Sequence, residues 1–142
     1  MDKELKRSII LDNYNNPNNR IKKDNNPDYI KLNSRNLTCI DNIDLYIKLN
    51  DNLIEEITFD GEACVISIST TSVMSNLLKG KTIKEAINII ENYNNMIEEK
   101  DYDKDLIQEA IVYEDISKQP NRIKCATLPW NTLLKKLKEL DK

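Results

Sequence analysis

Ile43-Asp44-Leu45-Tyr46-Ile47-Lys48-Leu49-Asn50-Asp51-Asn52-Leu53-Ile54-Glu55-Glu56-Ile57-Thr58-Phe59-Asp60 is the stretch that decides the fold. Ile43, Leu45, Ile47 and Leu49 alternate with Asp44, Tyr46, Lys48 and Asn50, a period of two that marks a half-buried strand. Asn50-Asp51-Asn52 is turn chemistry, because short polar side chains satisfy the backbone of a reversal. Leu53 to Asp60 reads as the next strand, so the stretch is a hairpin.

Working outward, residues Asp2 to Tyr14 are predicted helical, with Leu5, Ile9 and Ile10 on one side. Asn15-Asn16-Pro17-Asn18-Asn19 breaks that helix. Residues Arg20 to Leu37 are polar and irregular, with a short strand expected near Tyr29–Leu32. Beyond the hairpin, Ile66, Val73 and Leu77 shift to helical spacing, and Gly80 is placed to end the helix. Thr82 and Glu85 form a capping-box pattern. Behind them Ile83, Ala86, Ile87, Ile90 and Tyr93 make an apolar stripe. Glu91 to Tyr113 is polar and is expected to hold the end of that helix, a loop and a short helix. A last helix carries Trp130, Leu133, Leu134, Leu137 and Leu140. Pro129 belongs near a first turn, so this helix is expected to start around Cys125 to Thr127. Strands come first and helices follow. The expectation is one α+β domain over residues 1–142, with a small antiparallel sheet of about three strands and helices packed on one face.

Composition narrows the chemistry. The chain has 142 residues, 39% hydrophobic and 32% charged, and a net charge of −3. No basic block points to nucleic acid. No apolar run reaches the ~18 residues that a membrane span needs, and Met1 to Arg7 leads into no apolar signal core. A cytoplasmic location is expected, with neither nucleic acid nor membrane as partner. There is no histidine, which removes His-based triads and His-ligated metal sites. Two glycines, Gly61 and Gly80, cannot build a phosphate-cradling loop. Three cysteines in a reducing compartment argue against a disulfide framework.

Those cysteines are the remaining chemistry. Cys39 precedes the first clear strand, with Asp41 two residues on. Cys64 lies between the second strand and the following helix, and Cys125 is expected at the start of the last helix. All three sit at element ends, from which side chains can share a cleft. Helix N-termini at Cys64 and Cys125 would favour thiolates. Three thiolates and a carboxylate suit tetrahedral zinc and could also hold an iron–sulfur cluster, though four cysteines are usual. The spacing, 25 residues and then 61, matches no C-x-x-C rule. From spacing alone the three read more readily as small buried core residues.

The motifs around them add a resemblance. Ile10-Leu11-Asp12-Asn13-Tyr14-Asn15-Asn16-Pro17-Asn18-Asn19 resembles a D-H-Y-x-x-P-R-N segment, and Cys39-Ile40-Asp41 resembles C-G-D. Gly61-Glu62-Ala63-Cys64-Val65-Ile66-Ser67 resembles G-x-G-C-A-I-S. Leu78-Lys79-Gly80-Lys81-Thr82 resembles L-x-G-K-T/S, and Arg122-Ile123-Lys124-Cys125-Ala126-Thr127-Leu128 resembles R-x-K-C-A-x-L. These are the motifs of the U-type iron–sulfur cluster assembly family, and the likeness covers nearly the whole chain. Lys124 stands where the IscU branch carries a histidine, and Glu91 to Tyr113 fits the insertion of the SufU branch. Ile40 and Ala63 replace family glycines, and Asn13 replaces a histidine. A β-branched Ile40 would be strained if its backbone were left-handed.

The resemblance implies a zinc-dependent sulfurtransferase with Cys39, Asp41, Cys64 and Cys125 as the metal ligands. Cys39 would be the acceptor of persulfide sulfur, and Asp41 a ligand or a lever on ligand release. The implied partner is a cysteine desulfurase of the SufS type, followed by downstream cluster-assembly proteins. Arg122 and Lys124 would serve docking or electrostatic support of the thiolates, or be an ordinary solvated basic segment. The alternatives are a scaffold for a transient [2Fe–2S] cluster, with iron in place of zinc, and a structural zinc module that binds partners.

Overall fold

The computed structural model describes residues 1–38 and 40–141. Its centre is the predicted hairpin. Strands β1 (Tyr29–Arg35), β2 (Asn42–Asn50) and β3 (Leu53–Glu62) form an antiparallel sheet in sequence order. Leu45 faces Phe59 and Ile47 faces Ile57 across β2 and β3. Asp51, at φ 54, makes the two-residue reversal, a conformation that Asp tolerates through local hydrogen bonding. Ile43, Leu45, Ile47, Ile57 and Phe59 are almost wholly buried.

Helices α1 (Lys3–Asn15), α2 (Val65–Leu78), α3 (Ile83–Ile97), α4 (Lys104–Ile107) and α5 (Pro120–Leu140) follow, with a 3₁₀ segment at Gln108–Lys118. The result is the expected α+β fold of three antiparallel strands and helices on one face. The opposite face is largely exposed, and the irregular arm reaches it at Tyr46. There Tyr46, fully buried, donates to Asp24 Oδ1 at 3.0 Å, and Lys31 lies over its ring. The free edge of β3 is also occupied. Phe59 N–H donates to the Asn19 carbonyl, and Ile54 exchanges hydrogen bonds with Gly80 and Lys81. An edge strand is thereby shielded from pairing with another chain.

Helix α2 is the hub, touching α1, α5, β3 and the 3₁₀ segment. Ser67, Ser69, Thr70, Thr71, Ser72 and Ser75 are all buried in it. Burial of a hydroxyl costs free energy unless it is bonded, and each of these is. Thr71 and Ser75 donate to carbonyls one turn back, Ser72 to Asn13, and Thr70 accepts from the Trp130 indole at 2.8 Å. Tyr93 stacks on Trp130 at 3.9 Å and donates to the Ala126 carbonyl at 2.7 Å. Gly80, at φ +82, terminates α2 as expected, and Thr82 and Glu85 form the reciprocal capping box of α3.

Two expectations are corrected. On α1 the buried positions are Lys6 and Asn13, whereas Leu5 is exposed. The Lys6 ammonium reaches Asp115 at 2.8 Å and Glu114 at 3.1 Å, which is why a charged residue can face the 3₁₀ segment. The last helix starts at Pro120, not at Cys125–Thr127. Proline suits a first helical position because its φ is already helical. Pro129 lies inside α5 instead, and the Cys125 carbonyl it deprives of its i+4 donor lies 3.1 Å from the Ser67 hydroxyl oxygen.

Candidate metal centre

The loop between β1 and β2 is built on Asn36, whose N–H donates to the Asp41 carbonyl at 2.9 Å. The Asn36 side chain accepts from the Thr38 N–H and hydroxyl. This fixes Asp41, 3% exposed, at the start of β2. Cys39, the expected acceptor and ligand, lies outside the described residues.

Cys64 arrives from the end of β3. Gly61, at φ +147, is what lets it approach, because a Cβ there would collide with the Asn42 carbonyl oxygen. Cys64 then caps α2, its Sγ accepting from the Ser67 N–H at 3.5 Å. Its own N–H donates to Asp41 Oδ1 at 2.8 Å, and its Sγ lies 3.8 Å from Asp41 Oδ2. Ser67 Oγ donates to Asp41 Oδ2 at 2.8 Å. Cys125, buried, comes from the second turn of α5. One ligand atom each of Asp41, Cys64 and Cys125 lies within 4.8 Å of the others.

Burial pushes the Cys125 thiol up to about 12, with Asp41 and Cys64 adding to it. Three groups that would each carry negative charge are thus crowded into one cleft, and a cation is what relieves such crowding. Tetrahedral zinc with the usual bond lengths separates a sulfur and an oxygen ligand by about 3.6 Å. The 3.8 Å between Cys64 Sγ and Asp41 Oδ2 is close to that edge, so the donor set fits a zinc ion.

The structure brings together Asp41, Cys64 and Cys125 of the expected set. It places Arg122 and Lys124 on the exposed first turns of α5, and neither makes an ion pair among the described residues. The helix N-terminal expectation holds for Cys64 but not for Cys125, because α5 begins at Pro120. Ala63 has no positive φ, so its replacement of a glycine does not strain the backbone. Ile40 is 73% exposed. Ser67 was missed as a site residue. Its signal was the spacing, since the residue three beyond an N-cap supplies the capping N–H and follows the cap into the site.

Comparison with known proteins agrees with this geometry. Residues 5–139 match the NifU-like N terminal domain family. The zinc-dependent sulfurtransferase SufU of Bacillus subtilis (strain 168) is 38% identical over 132 residues, 92% of this chain and 88% of that protein. The iron–sulfur cluster assembly scaffold protein IscU of Thermotoga maritima is 32% identical over 108 residues, 76% of each chain. A crystal structure from Fervidobacterium islandicum AW-1, described as an iron–sulfur cluster assembly scaffold protein for the SUF system, superposes with a TM-score of 0.82 at 32% identity. It covers 88% of this chain and 90% of that one. Among the described residues no helix is long and apolar enough to cross a membrane. Motifs, fold and relatives converge, and the chain belongs to the NifU-like N-terminal domain family, the U-type proteins of iron–sulfur cluster assembly.

Proposed function

We propose that this protein is a zinc-dependent sulfurtransferase that takes persulfide sulfur from a cysteine desulfurase of the SufS type. The observation that carries the proposal is the convergence of Asp41, Cys64 and Cys125 within 4.8 Å. The 38% identity to a zinc-dependent sulfurtransferase supports it. Asp41, Cys64 and Cys125 would hold the ion together with Cys39. Bound zinc would keep the thiols deprotonated and shielded from oxidation.

The acceptor in this reading is Cys39, whose sequence neighbours Leu37 and Ile40 are both exposed. Its thiolate attacks the outer sulfur of the partner's persulfide, R–S–SH. The new sulfur–sulfur bond forms on Cys39 as the old one breaks. R–S⁻ leaves with the electron pair, and the proton stays on the transferred sulfur. Asp41 and Cys64 hold the base of the loop against α2 while its tip enters the partner. Arg122 and Lys124, exposed beside Cys125, present positive charge to the docking desulfurase.

The Cys39→Ala variant tests this reading. It should abolish stimulation of a SufS-type desulfurase while leaving the circular dichroism spectrum unchanged; full stimulation would refute the acceptor role. A second reading, a scaffold for a transient [2Fe–2S] cluster, is favoured by the 32% identity to an IscU scaffold protein. Metal analysis separates the two. One zinc per colourless chain supports the transferase, and a brown protein with visible absorbance supports the scaffold.

A further inference from the structure

We infer that Ser67 is a positioning residue that sets how Asp41 is presented to the metal, an inference that rests on the zinc reading of the site. Ser67 is 2% exposed and comes from the first turn of α2. Its hydroxyl oxygen lies 2.8 Å from Asp41 Oδ2, 3.1 Å from the Cys125 carbonyl oxygen and 3.7 Å from Cys64 Sγ. It therefore touches all three residues of the cluster.

A serine hydroxyl has one proton to give. The shorter bond assigns it to Asp41. With Cys64 N–H on Oδ1 and Ser67 on Oδ2, both carboxylate oxygens are held by donors from the same helix end. That fixes the plane of the carboxylate, the ordinary role of a group behind a metal ligand. The second acceptor is what makes the device specific. The Cys125 carbonyl lacks its i+4 helical donor because residue 129 is proline. The Ser67 proton can therefore turn from Asp41 to that carbonyl without a buried donor being left unmade. Asp41 can then shift on or off the metal at little cost, as a releasable ligand requires.

The test is a double-mutant cycle on zinc affinity, read by competition with a chromogenic chelator. The four full-length chains are wild type, Ser67→Ala, Asp41→Ala and the double variant. Ser67→Ala should weaken zinc binding by roughly 10–100-fold in the wild-type background, the usual effect of removing a group that supports a metal ligand. In the Asp41→Ala background it should change affinity by less than about 3-fold, because its partner is already gone. An equal loss in both backgrounds overturns the inference, as does no loss in either. A Ser67→Ala chain that fails to fold in both assigns the serine a merely structural role and also overturns it. A wild-type protein that takes up no zinc overturns the proposed function along with it, which distinguishes the two failures.

Discussion

Gly61 carries more of the site than its lack of a side chain suggests. Its φ of +147 and the absence of a Cβ let the end of β3 lie against Asn42, one residue from Asp41. Gly61→Ala would require both a disfavoured backbone and displacement of the Asn42 carbonyl. A loss of about 2 kcal/mol or more is expected by urea unfolding, with weaker zinc binding as Cys64 moves away from Asp41. A variant as stable as wild type would show that the close approach is dispensable. The motif around Gly61 was legible in the sequence, but its reason was not, since the colliding atom belongs to another strand. Ala63 shows the converse: it stands where the family motif carries a glycine, and its φ is not positive, so a side chain is tolerated there.

At the scale of elements, α1 is tied to the 3₁₀ segment by Lys6. Asp115 is held below the usual carboxylate range, chiefly by the hydrogen bond from Lys6, and Lys6 is held above its ordinary value, chiefly by Asp115. The lowered carboxyl contributes fully above its unfolded value of about 3.9 and loses that contribution as pH falls through its folded value. The raised lysine contributes fully below about 10.4 and loses it as pH rises through its folded value. The difference in Tm between wild type and Lys6→Met should therefore be flat from about pH 5 to 9 and shrink below about pH 4. Melts at pH 3 and pH 7 check this, and an unchanging difference would remove the ion pair as its cause. The period-two strands and the capping box were readable because local chemistry dictates both. The start of α5 was not, because nothing local reveals that the carbonyl which Pro129 leaves without its i+4 donor lies within reach of the Ser67 hydroxyl.

In the whole molecule, the candidate metal site joins parts distant in the chain: the β1–β2 loop, the start of α2 and the second turn of α5. An ion bound only by the folded state stabilises it by mass action, about 2.7 kcal/mol when free zinc is a hundred times its Kd. For a chain of this size that corresponds to roughly 5–10 °C. Stripping zinc with a chelator should lower Tm by that order, and re-addition should restore it. An unchanged melt would mean that zinc does not bridge these segments.

The sequence by itself determined the hairpin, α3 with its capping box, the end of α2 at Gly80 and the identity of the sulfur-bearing residues. Each of these is set by periodicity, by a cap within three residues, or by a motif contiguous in the chain. Only the tertiary structure decided that Asp41 is clamped by the first turn of α2 and that the Cys125 thiol is buried and pushed up. It alone gave the buried Ser67 a place in the site and set its hydroxyl beside the carbonyl that Pro129 leaves without its i+4 donor. Those outcomes depend on desolvation and on hydrogen bonds between residues tens of positions apart, and no local pattern encodes either.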